Sequence, residues 1–324
     1  MPPEPDSEAA APALSAAARA AVADAAADAA EEASAFAHPP VAPDATGSYG
    51  PHPDQVVDFH LPPSDAASAP APLVVLFHGG AWRSPYDRLH ISPLAAFLTG
   101  RGLAVASVEY RRGPASEARN PGTGAAPRPR AGRWPETFDD LAAAVDAVPR
   151  LVAELGLTGV DAGRMVLCGH SAGGHAALWA AARHVLPADA PWRAPAPTPA
   201  VRGVVALAPI ADFAVARELG VCSDAVDELL DGEAGLAWRL PYADPAALLP
   251  TGVPTTIVQG ARDADVPARV AEAFAAAAER AGQPVRLTLL ADVGHFPPID
   301  PATAAARTVA DEIEGIVRRY APGA

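Results

Sequence analysis

The sequence predicts an α/β fold, a mostly parallel central sheet covered by helices on both faces and carrying a small cap. Three observations carry this. Short apolar runs rich in β-branched residues recur along the chain, and longer Ala-rich segments of helical pattern separate them. Half of the residues are hydrophobic and 19% are charged, a balance that supports a sizeable buried core. A length of 324 residues admits one large domain or two small ones.

The strand runs lie at 56–61, 73–77, 103–108, 165–168, 204–207, 255–258 and 285–290. Continuous apolar runs of this length suit strands buried on both faces. Helical patterns lie at 138–155, 172–184, 267–281 and 302–319. Pro149 is expected to kink or split the first of these, because it lacks an N–H and crowds the preceding turn. Strand–helix alternation then implies right-handed crossovers. No internal repeat occurs.

Residues 1–52 are rich in Ala, Pro, Asp and Glu. Residues 16–35 have good helix propensity. They offer few large apolar groups for docking, chiefly the neighbouring Leu14 and Phe36 together with Val22. The expectation is an appendage, flexible or weakly helical, with residues 38–53 as a Pro-rich linker and the folded domain at 53–324. Two segments read as loops: 113–133, dense in Gly, Pro and Arg, and 188–199, dense in Pro and Ala. Arg128, Arg130 and Arg133 form a basic cluster, read as a solvated surface with contact to an acidic substrate or partner as the alternative. A small cap is expected at about 210–250. Leu219, Val226, Leu229, Leu230, Trp238 and Tyr242 either line an apolar acyl site there or simply pack the cap.

Composition excludes several functions. Acidic residues number 38 against 24 basic ones, a formal charge of −14, which argues against nucleic-acid or anionic-membrane partners. Every basic residue is Arg, so Schiff-base chemistry on a lysine and a Walker-type phosphate lysine are excluded. No G-x-G-x-x-G follows a strand. Arg19, the first positive side chain, is followed by no apolar run of signal type, and no long uncharged apolar stretch occurs, so a cytoplasmic location is expected. Cys168 and Cys222 are too far apart for a CxxC motif and are expected to be buried, reduced thiols. No metal or cofactor is expected. His170 and His175 lack the H-E-x-x-H spacing, and His175, on the side of its helix that Ser171 shares, is read as structural.

The sharpest local signal is Gly169-His170-Ser171-Ala172-Gly173, which follows an apolar run and opens an Ala-rich helix. In that strand–turn–helix setting a G-x-S-x-G is a nucleophile elbow. It lifts the serine hydroxyl to a helix N-terminus, where backbone amides favour developing negative charge. A serine needs a base, and an acid and then a histidine should follow it. His295, in Val293-Gly294-His295-Phe296, is the sole histidine after His184 and follows the run 285–290. The acid should lie after the run 255–258, where Asp263 and Asp265 compete. Asp263 is favoured by the order G-x-x-D-x-x-V-P. Its task would be to hold the imidazole tautomer. The oxyanion donors are read as Gly80 and Ala81, in His78-Gly79-Gly80-Ala81-Trp82 after the run 73–77, together with Ala172. Trp82 is taken as a substrate-binding wall, with a hydrophobic plug under the loop as the alternative.

Together HGGAW at 78–82, GHSAGG at 169–174, the stretch 260–267 and GH at 294–295 resemble the α/β-hydrolase superfamily. HGG-x-W and Glu109-Tyr110-Arg111 look most like the bacterial esterases related to kynurenine formamidase and to feruloyl/acetyl-xylan-type esterases. The resemblance spans about 54–320 and implies Ser171, Asp263 and His295 as triad, with Gly80, Ala81 and Ala172 as oxyanion donors. It implies a serine hydrolase of small-molecule esters or amides working through an acyl-enzyme. Arylformamidase activity on N-formylkynurenine and a non-catalytic binding protein on the same fold are the alternatives.

Overall fold

The computed structural model describes residues 16–63, 69–113, 130–198 and 200–319. Leu14, Arg128 and the rest of the loop at 114–129 lie outside the described residues, as does the side chain of Val22.

The chain begins with a helix, α1 (Ala16–Ala37), and a short strand, β1 (Ala45–Ser48). Each of the seven apolar runs then forms a strand: β2 (Val56–His60), β3 (Ala71–Phe77), β4 (Ala104–Val108), β5 (Val160–His170), β6 (Val201–Leu207), β7 (Thr255–Gly260) and β8 (Arg286–Leu290). They make one sheet in the order β1-β2-β4-β3-β5-β6-β7-β8. The first two pairings are antiparallel and the rest parallel.

Alternation along a strand explains the uninterrupted apolar runs. In β3, Leu73, Val75 and Phe77 enter one core layer, while Val74 and Leu76 enter the other. The first layer is closed by α3 (Glu136–Glu154), α4 (Ala172–Ala181) and α8 (Ala268–Arg280). The second is closed by α2 (Ser92–Thr99) and α9 (Ala304–Arg319). Each fully buried Leu or Val contributes roughly 1.5–3 kcal/mol, so a polar residue at any β3 position would cost one face its packing.

The α3 helix runs unbroken through Pro149, against the expected split. Pro149 is itself exposed, while Leu141 and Val145 before it and Leu151 and Val152 after it are buried. Packing on both sides of the proline outweighs one missing backbone bond.

Between β6 and β7 lie three short helices, α5 (Phe213–Glu218), α6 (Val221–Leu230) and α7 (Gly232–Ala243). They occupy the expected cap region. Among the described residues no helix is long and apolar enough to cross a membrane.

The N-terminal segment differs from the expected appendage. β1 pairs with β2 from Ala45↔Phe59 to Ser48↔Val56, so the sheet itself begins before residue 52. α1 is tied down by polar contacts its sequence gave no sign of. Ser34 Oγ donates to Asp300 Oδ2 at 2.6 Å, His38 Nε2 donates to Asp300 Oδ1 at 2.8 Å, and Gly294 N donates to Glu31 Oε1 at 3.3 Å. Partners more than 260 residues away leave no trace in local periodicity.

Candidate active site

The carboxyl ends of β3, β5, β7 and the loop after β8 converge, as ligand sites of open α/β sheets do. At the end of β5 the chain turns through Ser171 with φ 56° and ψ −117°, a conformation an L-residue adopts only under constraint. Neighbouring backbone enforces it: Ser171 N donates to Leu207 O at 2.8 Å, and Ser171 O accepts from His175 N at 3.1 Å. Gly173 is required because a Cβ there would stand 2.2 Å from Phe77 O. The first turn of α4 therefore lies hard against the end of β3, with amides that have no partner inside the helix.

His295 and Asp263 meet beside the cavity that Ser171 lines. His295 Nδ1 donates to Asp263 Oδ2 at 2.8 Å, and both side chains are buried. Asp263 is held in turn by Val266 N on Oδ1 at 2.7 Å and Gln259 Nε2 on Oδ2 at 3.0 Å. Asp265 is exposed and faces the cavity without reaching the ring. Burial disfavours the charged imidazolium, but the Asp263 charge and hydrogen bond outweigh it, with further pull from Asp265 and Glu32, and raise the His295 pKa. The ring therefore has a carboxylate behind Nδ1 and shares a cavity with Ser171.

The loop after β3 runs through Gly80 (φ 100°), Ala81 (φ 50°) and Trp82 (φ 55°). At Gly80 a Cβ would fall 2.3 Å from Tyr86 Cβ. Three residues in a row with positive φ are costly, and the surroundings pin them. Trp82 O accepts from Gly113 N at 2.9 Å and Gly132 N at 2.8 Å. His78 donates from Nδ1 to Gly79 O at 2.8 Å and from Nε2 to Glu109 Oε1 at 3.0 Å. Tyr110 stacks on the His78 ring with centroids 4.4 Å apart and donates its hydroxyl to His78 O at 2.7 Å. Burial opposes the Glu109 charge, but His78 and Arg112 hold its pKa down at about 2. Glu109 and Tyr110 thus fix the candidate oxyanion loop, a role that the residues Glu109-Tyr110-Arg111 did not reveal in the sequence.

A cavity of about 240 Å³ opens over this array, lined by Ser171, His295, Gly80 and Ala81. His170 adds a wall and donates from Nε2 to His295 O at 2.9 Å. Burial, reinforced by the nearby His295, holds His170 neutral with a pKa well below the usual value. His175 points away from the cavity and donates from Nε2 to Ala243 O at 2.9 Å. Burial lowers its pKa to about 4. Among the described residues no three His, Cys, Asp or Glu side chains converge as metal ligands.

The structure decides between the two alternatives for Trp82 and for the cap residues, and it corrects the expectation for Cys222. Trp82 does not line the cavity; the indole is fully buried beneath the loop, edge-on to His175 at 5.2 Å and to Phe213 at 6.2 Å. It is the plug rather than the wall. The six apolar cap residues do not line it either. Val226, Leu229 and Leu230 are buried in packing, while Leu219 and Trp238 are exposed. The cap instead presents Cys222 and Ser223. Cys222 is thus not a fully buried thiol like Cys168 but a cavity residue, its pKa pushed up to about 12 by burial. Arg83 NH1 donates to Cys222 O at 2.9 Å and Arg83 NH2 to Glu228 Oε2 at 3.1 Å, holding that wall.

The opposite wall comes from α1. Glu32 and Phe36 line the cavity, and the Phe36 ring lies 5.4 Å from His90 and 5.7 Å from Phe296. Phe36, one of the few large apolar groups of the N-terminal segment, is part of the site's enclosure. Arg130, from the basic cluster, pairs with Asp231 at 2.7 Å and Arg133 with Glu136 at 3.3 Å, both away from the cavity.

Comparison with known proteins agrees with this architecture. The BD-FAE family model matches residues 57–277, about two thirds of the chain. No curated protein matches the sequence. Solved structures are similar in fold. A truncated carbohydrate esterase from gut microbiota shares 17% identity over 87% of this chain and 100% of that one, with a TM-score of 0.64. Esterase 2 of Thermogutta terrifontis, phosphoramylated by tabun, shares 20% over 87% and 97%, with a TM-score of 0.62. Esterase B of Lactobacillus rhamnosis, inhibited by a tributyrin phosphonate, shares 18% over 94% and 96%, with a TM-score of 0.65. The fold is that of the α/β hydrolases.

Proposed function

We propose that this protein, which belongs to the BD-FAE family, is a serine hydrolase that cleaves small carboxylic esters through an acyl-enzyme. One observation carries the reading: a buried imidazole, backed by the Asp263 carboxylate at 2.8 Å, shares a cavity with a serine on a nucleophile elbow. Phosphonate and phosphoramidate adducts of the similar esterases support it, since such reagents report an activated nucleophile in those proteins.

In this mechanism Ser171 Oγ attacks the ester carbonyl while His295 Nε2 takes its proton. Asp263 keeps Nδ1 protonated, so that Nε2 is free to act as the base. The tetrahedral oxyanion is met by the amides of Ala172 and of Gly80 or Ala81. His295 then protonates the leaving alcohol, and a water activated by the same ring releases the acid. A cavity of about 240 Å³ lies below the roughly 300–1,000 Å³ of drug-sized ligand sites, which favours a short acyl group.

The test is kcat/KM for p-nitrophenyl acetate, butyrate and octanoate beside N-formylkynurenine, with Ser171→Ala as blank. Short esters are expected to lead, and Ser171→Ala to lose several orders of magnitude. Faster turnover of the formyl amide than of every ester would replace the esterase reading by an arylformamidase. Retention of most activity by Ser171→Ala, with no fluorophosphonate labelling of the wild type, would reject the nucleophile altogether.

A further inference from the structure

We propose that the chain carries a second, non-catalytic site: an aromatic cleft that binds an organic cation of the quaternary-ammonium class. The cleft measures about 290 Å³ and shares no lining residue with the catalytic cavity. Its walls are Trp134, Trp192, Trp238 and Tyr242, with Asp189 at the rim. It joins three parts of the fold: the turn before α3, the loop after α4 and the cap helix α7.

The aromatic lining bears on the ligand class. Trp134 stands perpendicular to Trp192, with centroids 5.3 Å apart at 88°, and to Trp238, at 5.8 Å and 90°. At these separations the three indoles meet edge to face, and together they make an aromatic wall of the cleft. Indole faces carry negative quadrupolar potential and attract cations within about 6 Å. The polar edge of Trp192 is committed elsewhere, since its Nε1 donates to Asp139 Oδ1 at 2.7 Å. Trp238, by contrast, is left 52% exposed, an apolar surface the fold itself does not cover.

Charge points the same way. The Tyr242 hydroxyl donates to Asp189 Oδ2 at 2.9 Å, which fixes the carboxylate and uses the hydroxyl proton. Among the described residues no guanidinium pairs with Asp189. The rim therefore offers acceptors and negative charge. A methylated ammonium matches it, with apolar methyl groups for the rings, positive charge for the carboxylate and no demand for hydrogen-bond acceptors to be exchanged. A sugar would need donors at the rim and a flat face. Two of these rings already attract a cation: the Arg239 guanidinium lies 4.5 Å from the Trp238 centroid and 5.3 Å from that of Trp134. Arg239 is absent from the cleft lining and sits in the adjoining pocket with Asp231.

The experiment is isothermal titration of the full chain with choline chloride, with its uncharged isostere 3,3-dimethyl-1-butanol, and with glucose, at matched ionic strength. Choline should bind saturably and the isostere about tenfold more weakly or not at all. Asp189→Asn should weaken choline about tenfold. Trp238→Leu, which keeps apolar bulk without a π face, should abolish binding with an unchanged thermal melt. Equal binding of the neutral isostere would make the cleft merely apolar, and glucose binding in place of choline would make it a sugar site. Linear choline heats up to about 50 mM, or full binding by both variants, would likewise overturn the assignment.

Discussion

His295 Nδ1 donates to Asp263 Oδ2 at 2.8 Å, whereas Asp265, two residues further along the same loop, stays exposed to the cavity. Only one of the two carboxylates orients the imidazole. Asp263→Asn is therefore expected to lower kcat by about 10⁴-fold, because the neutral amide no longer holds the productive tautomer. Asp265→Asn should leave kcat within about threefold, as an exposed charge acts weakly through solvent. Steady-state kinetics on p-nitrophenyl acetate checks both, and the reverse ranking would give Asp265 the role.

The pH profile follows from the same pair. A base must be neutral to accept a proton, and the Asp263 carboxylate raises the His295 pKa above the ordinary 6.5 despite burial. Activity should thus be lost as pH falls, with an apparent pKa in kcat/KM above that value. In Asp263→Asn the residual activity should persist to lower pH, since the upward pull is gone. An unshifted acidic limb in the variant would disconnect the two residues.

Phe36 closes the cavity from a helix outside the matched family region. Phe36→Ala removes one aromatic wall and about 1–1.5 kcal/mol of contact with a bound acyl chain. KM for p-nitrophenyl butyrate should rise several-fold with kcat nearly unchanged, and acetate should be affected less. Equal KM values for wild type and variant on both esters would show that α1 does not touch the substrate.

Trp82 makes a stability prediction where the sequence had suggested a binding one. It is fully buried against His175 and Phe213. Trp82→Ala should cost about 3–5 kcal/mol in urea unfolding through the cavity it leaves. Trp82→Phe should recover much of that stability and most of the activity. A Trp82→Ala variant as stable as wild type, with only its KM raised, would return the residue to the substrate pocket.

The sequence by itself determined the seven longer strands, because burial of both sheet faces requires continuous apolar runs. It also narrowed the chemistry to a few positions. The glycines at 169 and 173 admit the Ser171 turn, and His295 is the sole histidine downstream of His184. Side-chain periodicity reports which face of an element is buried; it does not report what lies on the other side of the contact. The tertiary structure therefore decided the rest. It put Asp263 rather than Asp265 on the imidazole, Trp82 under its loop, and Cys222 rather than the apolar cap residues at the cavity. It also docked α1, whose composition looked solvated, through Ser34 and His38 onto Asp300. Each of these rests on the meeting of residues distant in the chain, and local propensity carries no term for that.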